Sequence, residues 1–457
     1  MAAGLEQLNR PDDILPIRPG HDALLLGADD SGIEPRACVV GVIRGGCYCG
    51  LRMAGGMIVY DTLRRRPVPL PLSDGGSLLK LYVCGITPYD SGHLGHAFTF
   101  CAFDVLVRHV ESKGIRVRYV NNVTDVDDPL FARARDDGVD WRALAEREET
   151  SFLHDMDELG WRRPDVLPRV SQEIPAILGA CEALADAGYG YAAGGSLYFE
   201  AARYADYGGL SRRSRRSMLR KLRDEELLGE VGPRAKRDWL DFPLWRPSAP
   251  DEPAWPSRFG SGRPGWHIEC SAMSMRYLGE QVDVHGGGRD LVFSHHESER
   301  AQSESLTGCV PFARAWLHTG MVRYQGRKMS KSLGNLVVIS EVLSRGIAPA
   351  ALRLYLVSHH YRRDWSFRWE RLEAFSRLIA AVQRLPSPGA AGPDLIGEFE
   401  AALDDDLDTP RALRALKRSV SARDGAAARA MLAVLSGAAS LVPSSGREVA
   451  AAPLKPR

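Results

Sequence analysis

The chain has 457 residues, enough for two or three domains with an ample buried core. Its 59 Lys and Arg nearly cancel its 58 Asp and Glu, so no global basic field marks a nucleic-acid binder, although a local stripe can hide in a neutral total. No apolar run approaches the ~20 residues of a membrane span, the N-terminus lacks a basic-then-apolar signal, and the cysteines are too scattered for a disulfide framework; a cytoplasmic monomer is expected.

Residues 1–56 mix Gly, Pro, Asp and Arg without periodicity and read as a poorly ordered extension, with Cys47 and Cys49 left unassigned. Ile58-Val-Tyr-Asp-Thr62 reads as a first strand. Leu81-Tyr-Val83 predicts a strand, Ala97–Ser112 a helix with Phe100, Phe103, Val107 and Val110 on its apolar face, and Val117–Thr124 another strand. Between the first strand of that unit and its helix, Gly92 and Gly95 allow a turn and close approach of a ligand. The amides of the helix start face an anion, and His93 and His96 add donors, an arrangement that suits a nucleotide phosphate. Alternating strands and helices imply an α/β fold with a doubly wound, Rossmann-like parallel sheet. Ligands of such sheets lie at the carboxyl ends of the strands, so Cys84–Thr87 and Asn121–Thr124 should meet at one crevice.

Residues 131–240 read as a helical insertion, with windows Trp141–Leu159 and Ser171–Ala187, a hairpin strand at Ser196-Leu-Tyr-Phe-Glu200, and a basic run, Arg212–Arg223, taken as a solvated helix face. Asp241-Phe-Pro-Leu-Trp245 and the segments 262–273 and 282–299 return the chain to the core. Zinc takes Cys, His and carboxylate ligands from loops that converge, and Cys84, Cys270, His295 and Glu299 are candidates, the last two four apart on one helix face. Helices over Ile347–Leu385 and Ile396–Leu441 follow. The expected organisation is a catalytic domain over 57–340, a C-terminal helical domain over 341–441 and a disordered tail at 442–457.

Far downstream of His93-Leu-Gly-His96 stands Arg327-Lys-Met-Ser-Lys-Ser-Leu-Gly-Asn335. Together the two resemble the signature sequences of class I aminoacyl-tRNA synthetases, and Asn122-Val-Thr-Asp-Val-Asp-Asp128 is similar to the matching segment of the cysteine-activating members. The resemblance implies that His93, His96, Lys328 and Lys331 serve the phosphates of ATP and its Mg2+, the lysines on a loop that closes over the nucleotide. It places Cys84, Gly85, Ile86, Thr87, Asn122, Val123, Thr124 and Trp266 around the cysteinyl-adenylate, and Gly286, Gly287, Gly288 and Asp290 beside the adenosine. It also implies that Cys84, Cys270, His295 and Glu299 hold one Zn2+ per chain, which binds the thiolate of L-cysteine and so rejects serine.

Two families activate cysteine in this way, cysteinyl-tRNA synthetases and the ligases that join cysteine to glucosaminyl-inositol in mycothiol synthesis. Cys84-Gly-Ile-Thr-Pro-Tyr-Asp90, the stretch from Asn122 to Phe131, Phe259–Trp266, His359-His-Tyr-Arg362 and Leu403–Pro410 resemble the ligases, and the segment after the second signature is short for an anticodon reader. Glu299, Asp241–Trp245, Gln302-Ser-Glu304 and Ser332-Leu-Gly-Asn335 resemble the synthetases. The sequence is read as the amino-sugar ligase, with cysteine tRNA as the alternative acceptor and a non-catalytic binding paralogue as the third reading.

Overall fold

The structure, a computed structural model, describes residues 56–89, 92–224, 236–329, 334–386 and 394–437. The expected extension, the tail, Cys47, Cys49 and Lys331 lie outside them, Gly56 excepted. At the centre is a four-stranded, all-parallel sheet in the order Ala313–Thr319, Val282–Gly288, Leu78–Ile86, Arg116–Val123. Strands buried on both faces read as nearly continuous apolar runs, and Leu79, Leu81, Tyr82 and Val83 are all inaccessible to water. Among the described residues no helix is long and apolar enough to cross a membrane.

Helix Leu94–Ser112 is the crossover from Leu78–Ile86 to Arg116–Val123 and covers one face. It starts a turn before the expected Ala97 because the side chain of His93 caps it, accepting from Gly95 N at 3.0 Å and His96 N at 3.3 Å. Helices Trp266–Leu278 and His295–Thr307 pack on each other and on helix Val170–Asp186 to cover the other face, completing the double winding. Strand Ile58–Asp61 exists but stays outside the parallel sheet. It forms a hairpin with Arg66–Pro69 and is tied to the edge strand, where Asp61 Oδ1 accepts from Trp316 N at 3.0 Å.

The segment between Val123 and Trp266 contains helices Asp128–Asp137, Trp141–Glu158, Val170–Asp186 and Arg215–Asp224. The expected hairpin strand is Ser196–Phe199, and it belongs to a four-stranded antiparallel sheet with Gly190–Ala193, Phe242–Arg246 and Arg263–Pro264. That sheet was not legible beforehand, since two of its strands are prolyl and short. At the C-terminal end, helices Pro349–Val357, Trp369–Gln383, Leu395–Asp404, Thr409–Ser421 and Gly425–Ser436 share one hydrophobic core with helix Leu94–Ser112.

One buried ion pair pins this assembly. Arg353 is fully buried, pairs with Asp104 of helix Leu94–Ser112, and donates to the carbonyls of Leu435 at 2.8 Å, Leu159 at 3.2 Å and Gly160 at 3.1 Å. Removing one partner strands the other charge in an apolar interior, which costs about 3–5 kcal/mol. Asp104→Ala should therefore lower stability by that amount in a denaturant titration followed by tryptophan fluorescence, and a loss under about 1 kcal/mol would show the pair to be dispensable.

Candidate active site and metal cluster

At the carboxyl end of Leu78–Ile86 the pairing with Arg116–Val123 slips between Val83 and Ile86. The slip is built on Gly85, where a Cβ would stand 1.6 Å from the carbonyl oxygen of Asn122. Asn122 Oδ1 holds the bend from the other side, accepting from Gly85 N at 2.9 Å and from the Tyr82 hydroxyl at 3.2 Å. Its amide donates to Thr124 Oγ1 at 3.0 Å. Cys84 is thereby turned toward the two helices of the opposite face, between Val83 and a strand end that also carries the buried Ile86 and Val123.

Register brings the next strand's residues to the same place, with Tyr82 opposite His285 and Val83 opposite Gly286. Cys84 Sγ lies 3.6 Å from His285 Nε2 and donates to Glu299 Oε1 at 3.4 Å. His295 and Glu299, one turn apart, approach to 3.1 Å between Nε2 and Oε1. Cys270, from helix Trp266–Leu278, donates to Asn122 Oδ1 at 3.6 Å. The donor atoms of Cys84, Cys270, His295 and Glu299 all lie within 4.8 Å of one another, and so do those of Cys84, His285, His296 and Glu299.

The electrostatics of the cluster favour a cation. Burial, then the neighbouring Cys270 and Glu299, push the Cys84 thiol well above its ordinary pKa. Burial raises the Glu299 carboxyl while His285 and His295 pull it below its ordinary value, but burial also pushes His295 down to about 3. That ring is neutral at pH 7. His285 Nδ1 and His296 Nε2 are buried without hydrogen-bond partners, and Glu299 Oε2 has His285 Nε2 at 3.3 Å. Two sulfurs, imidazole and carboxylate are the donor types that zinc takes, so these residues fit the ion.

The indole of Trp266 stacks on the His295 ring at 4.2 Å between centroids. Thr87 lies just past the strand end and donates to Asp127 Oδ2 at 3.0 Å. His285, His296 and His318 were not singled out from the sequence. Nδ1 of His296 is 2.7 Å from Nε2 of His318, whose Nδ1 is 2.7 Å from Thr62 Oγ1, so a row of imidazoles runs from the cluster to a cleft. The signal available was the polar face of strand Val282–Gly288, with Asp283 and His285 in alternation.

That cleft, of about 610 Å³, is lined by Arg65, Arg213, Lys221, Arg289, Lys328 and Arg362, with Asp290 and His318. Thus two members of the basic run 212–223 face a cavity. His93 and His96 are not on its walls. They stack on each other at 3.9 Å at the helix start, where desolvation, aided by His93, keeps His96 well below its ordinary pKa and neutral. The two signatures are nevertheless sewn together, because Leu94 N donates to Val337 O at 3.0 Å and Ile339 N to Gly92 O at 3.1 Å, just beyond Asn335, whose amide donates to Lys328 O at 3.1 Å.

Gly287 packs against the His296 ring and Gly288 against the Asp290 carboxylate, while at Gly286 a Cβ would stand 2.2 Å from the Phe103 ring. Gly286→Ala should cost roughly 1–3 kcal/mol by overpacking. Adding Phe103→Leu should return much of it in thermal melting, and a double variant no better than the single one would show that the ring is not the obstacle.

A family model described as tRNA synthetases class I (C) catalytic domain matches residues 73–377. A cysteine–tRNA ligase of Anaeromyxobacter sp. (strain K) is 46% identical over 370 residues, which cover 78% of this chain and 75% of that one. The L-cysteine:1D-myo-inositol 2-amino-2-deoxy-alpha-D-glucopyranoside ligase of Acidothermus cellulolyticus is also 46% identical, over 359 residues covering 78% of this chain and 87% of that one. Among solved structures, Mycobacterium tuberculosis methionyl-tRNA synthetase in complex with methionyl-adenylate superposes with a TM-score of 0.55 at 16% identity, over 79% of this chain and 89% of that one. At that identity it speaks for the fold alone.

Proposed function

The chain belongs to the class I (C) tRNA synthetases, and from that premise we propose that it forms cysteinyl-adenylate from ATP and L-cysteine and passes the cysteine to the amine of glucosaminyl-inositol. It is an ATP-dependent cysteine ligase, in keeping with relatives of both kinds. The observation that carries the reading is the convergence of Cys84, Cys270, His295 and Glu299 beside strand ends that lead to a cation-lined cleft. Those four residues would hold zinc. When bound, zinc offers a soft acceptor to the substrate's sulfur, and the hydroxyl of serine competes poorly for such a site.

The residues of the chain then have the following tasks. Trp266 forms the wall beside His295, and Thr87, Asn122 and Thr124 line the strand ends where the amino acid's backbone lies, with Gly85, Ile86 and Val123. Gly287, Gly288 and Asp290 border the adenosine beside Gly286. The free amides at the start of helix Leu94–Ser112, neutral His96, His93, Lys328 and Lys331 stabilise charge on the phosphates of Mg-ATP as the cysteine carboxylate attacks the α-phosphorus and pyrophosphate leaves. The acceptor's nitrogen then attacks the carbonyl carbon, and AMP departs with the electron pair of the broken C–O bond.

The amino sugar is supported by the ligase-like stretches around Cys84–Asp90, Asn122, Phe259–Trp266 and Leu403–Pro410, and by an alignment that spans 87% of the amino-sugar ligase. The second reading, transfer to a hydroxyl of cysteine tRNA, is favoured by the basic cleft, since Arg65, Arg213, Arg289, Arg362, Lys221 and Lys328 suit a phosphate-bearing strand better than an ammonium. We further propose a cytoplasmic monomer.

Purified protein should carry one zinc per chain by elemental analysis and catalyse cysteine-dependent exchange of pyrophosphate into ATP. Cys270→Ala should lower both the zinc content and the exchange, the latter at least ~100-fold, as expected for loss of a direct ligand. Near-native exchange in that variant would end the zinc reading. Glucosaminyl-inositol and cysteine tRNA, offered side by side to the activated enzyme, decide the acceptor.

A further inference from the structure

Two ligase-like stretches that the proposed mechanism leaves idle, His359-His-Tyr-Arg362 and Leu403–Pro410, meet at one carboxylate. Asp406 is buried in the turn between helices Leu395–Asp404 and Thr409–Ser421. It and Leu407 hold φ angles of 53° and 51°, a left-handed pair that residues with a Cβ keep only where the surroundings hold them there. Asp406 N donates to Ile58 O at 3.0 Å, which lays the turn beside strand Ile58–Asp61.

The two oxygens of this carboxylate have separate tasks. Oδ1 accepts from Tyr60 N at 2.8 Å and from the Tyr361 hydroxyl at 2.7 Å. Oδ2 takes one edge of Arg362, with Nε at 2.6 Å and Nη2 at 2.5 Å, while His360 Nε2 stands 3.7 Å away. The guanidinium lies over the Tyr60 ring, 4.3 Å from its centroid, and both residues line the basic cleft. Among the described residues Nη1 of Arg362 meets no hydrogen-bond acceptor, and 36% of the side chain is exposed. One end of the fork is clamped and the other is open to the cleft.

Arg362 also shares a frame with Lys328. Gly320 N donates to Tyr361 O at 2.6 Å, and Asp364 Oδ1 accepts from Met321 N at 3.0 Å. From there strand Val322–Tyr324 runs parallel to Trp365–Phe367 and antiparallel to Arg327–Lys328, so the signature lysine and Arg362 are joined by backbone and line one cleft. A carboxylate beside a guanidinium weakens the field it exerts, so the clamp adds no attraction. It adds direction, since a long side chain fixed before its ligand arrives loses less freedom on binding. We propose that Asp406 is a positioning residue that aims Arg362 at the triphosphate of ATP, which Arg362 binds beside Lys328. The inference rests on the cysteine-activation reading, which puts that triphosphate at Lys328.

The test is Asp406→Asn, because an amide keeps Oδ1 for Tyr60 and Tyr361, tolerates the left-handed backbone, and turns only its NH2 toward Arg362. In pyrophosphate exchange at saturating cysteine, Arg362→Ala should raise the KM for ATP ~10–100-fold, as for loss of a charge-assisted hydrogen bond. Asp406→Asn should raise it ~3–10-fold, the value of one ordered side chain. The KM for cysteine should stay put in both, and Asp406→Asn added to Arg362→Ala should change nothing further. A rise below about threefold in Asp406→Asn, or the same rise whether or not Arg362 is present, overturns the proposal.

Should Asp406→Asn fold poorly, Arg362→Lys decides. An ammonium keeps the charge but cannot turn one edge to Asp406 and another to a phosphate, so the KM for ATP should stay as high as in Arg362→Ala. Recovery to within about threefold of the native value shows that aiming is not needed, and overturns the proposal. Absence of cysteine-dependent exchange in the unmodified protein is a separate result, and refutes the activation reading itself. The Kd for ATP by calorimetry, which needs no turnover, then reads the same variants with the same expected ratios.

Discussion

A carboxylate denied access to water is the constraint around which this molecule is arranged. Glu299 is fully buried, and its nearest polar neighbours are a thiol and the imidazoles of His285 and His295. Holding an ionised carboxylate in such a place costs several kcal/mol even after relaxation, against a total stability of about 5–15 kcal/mol for a typical domain. Burial pushes His295 down to about 3, so that ring is neutral at pH 7 and does not offset that cost. A divalent cation bound there would do so, and would also reverse the upward push on Cys84, because a coordinated thiol ionises. The features that make the cluster unfavourable by itself are therefore the ones that would favour a soft metal there.

The backbone supplies this geometry cheaply. Parallel strands end at a common edge, so three sequentially remote turns open onto one crevice. Gly85 lets one strand kink against Asn122, and the helix following strand Val282–Gly288 carries His295 and Glu299 on one face, an i,i+4 pair fixed by helical pitch. The hydrogen bonds between Gly92–Leu94 and Val337–Ile339 perform the same office for the two signatures, closing the long sequence gap between them with backbone alone.

Much of this was legible in the residues. The strand-turn-helix unit, the helices at Trp141–Glu158 and Val170–Asp186 and the parallel core follow from apolar periodicity, which is a local property. Helix Leu94–Ser112 was read short because its cap is a histidine, a residue outside the usual capping set. The strand at Ile58 was recognised as a strand but not as a hairpin outside the main sheet, since propensity does not specify a partner. The antiparallel sheet of the insertion and the imidazoles of His285, His296 and His318 depend on which distant chains meet, and no window of sequence contains that. Cys84, Cys270, His295 and Glu299 do converge in space, while Lys331 falls outside the described residues.

Three consecutive residues show how the surroundings of the cluster are divided. Phe293 lines the basic cleft, Ser294 lines the small space beside Trp266, where Asp127, Asp128 and Asp241 stand with Lys236, Arg246 and Arg263, and His295 belongs to the metal cluster. One turn of chain thus borders three environments, and a residue inserted or lost between Phe293 and His295 would turn His295 and Glu299 away from Cys84 together, because the two share one helix face.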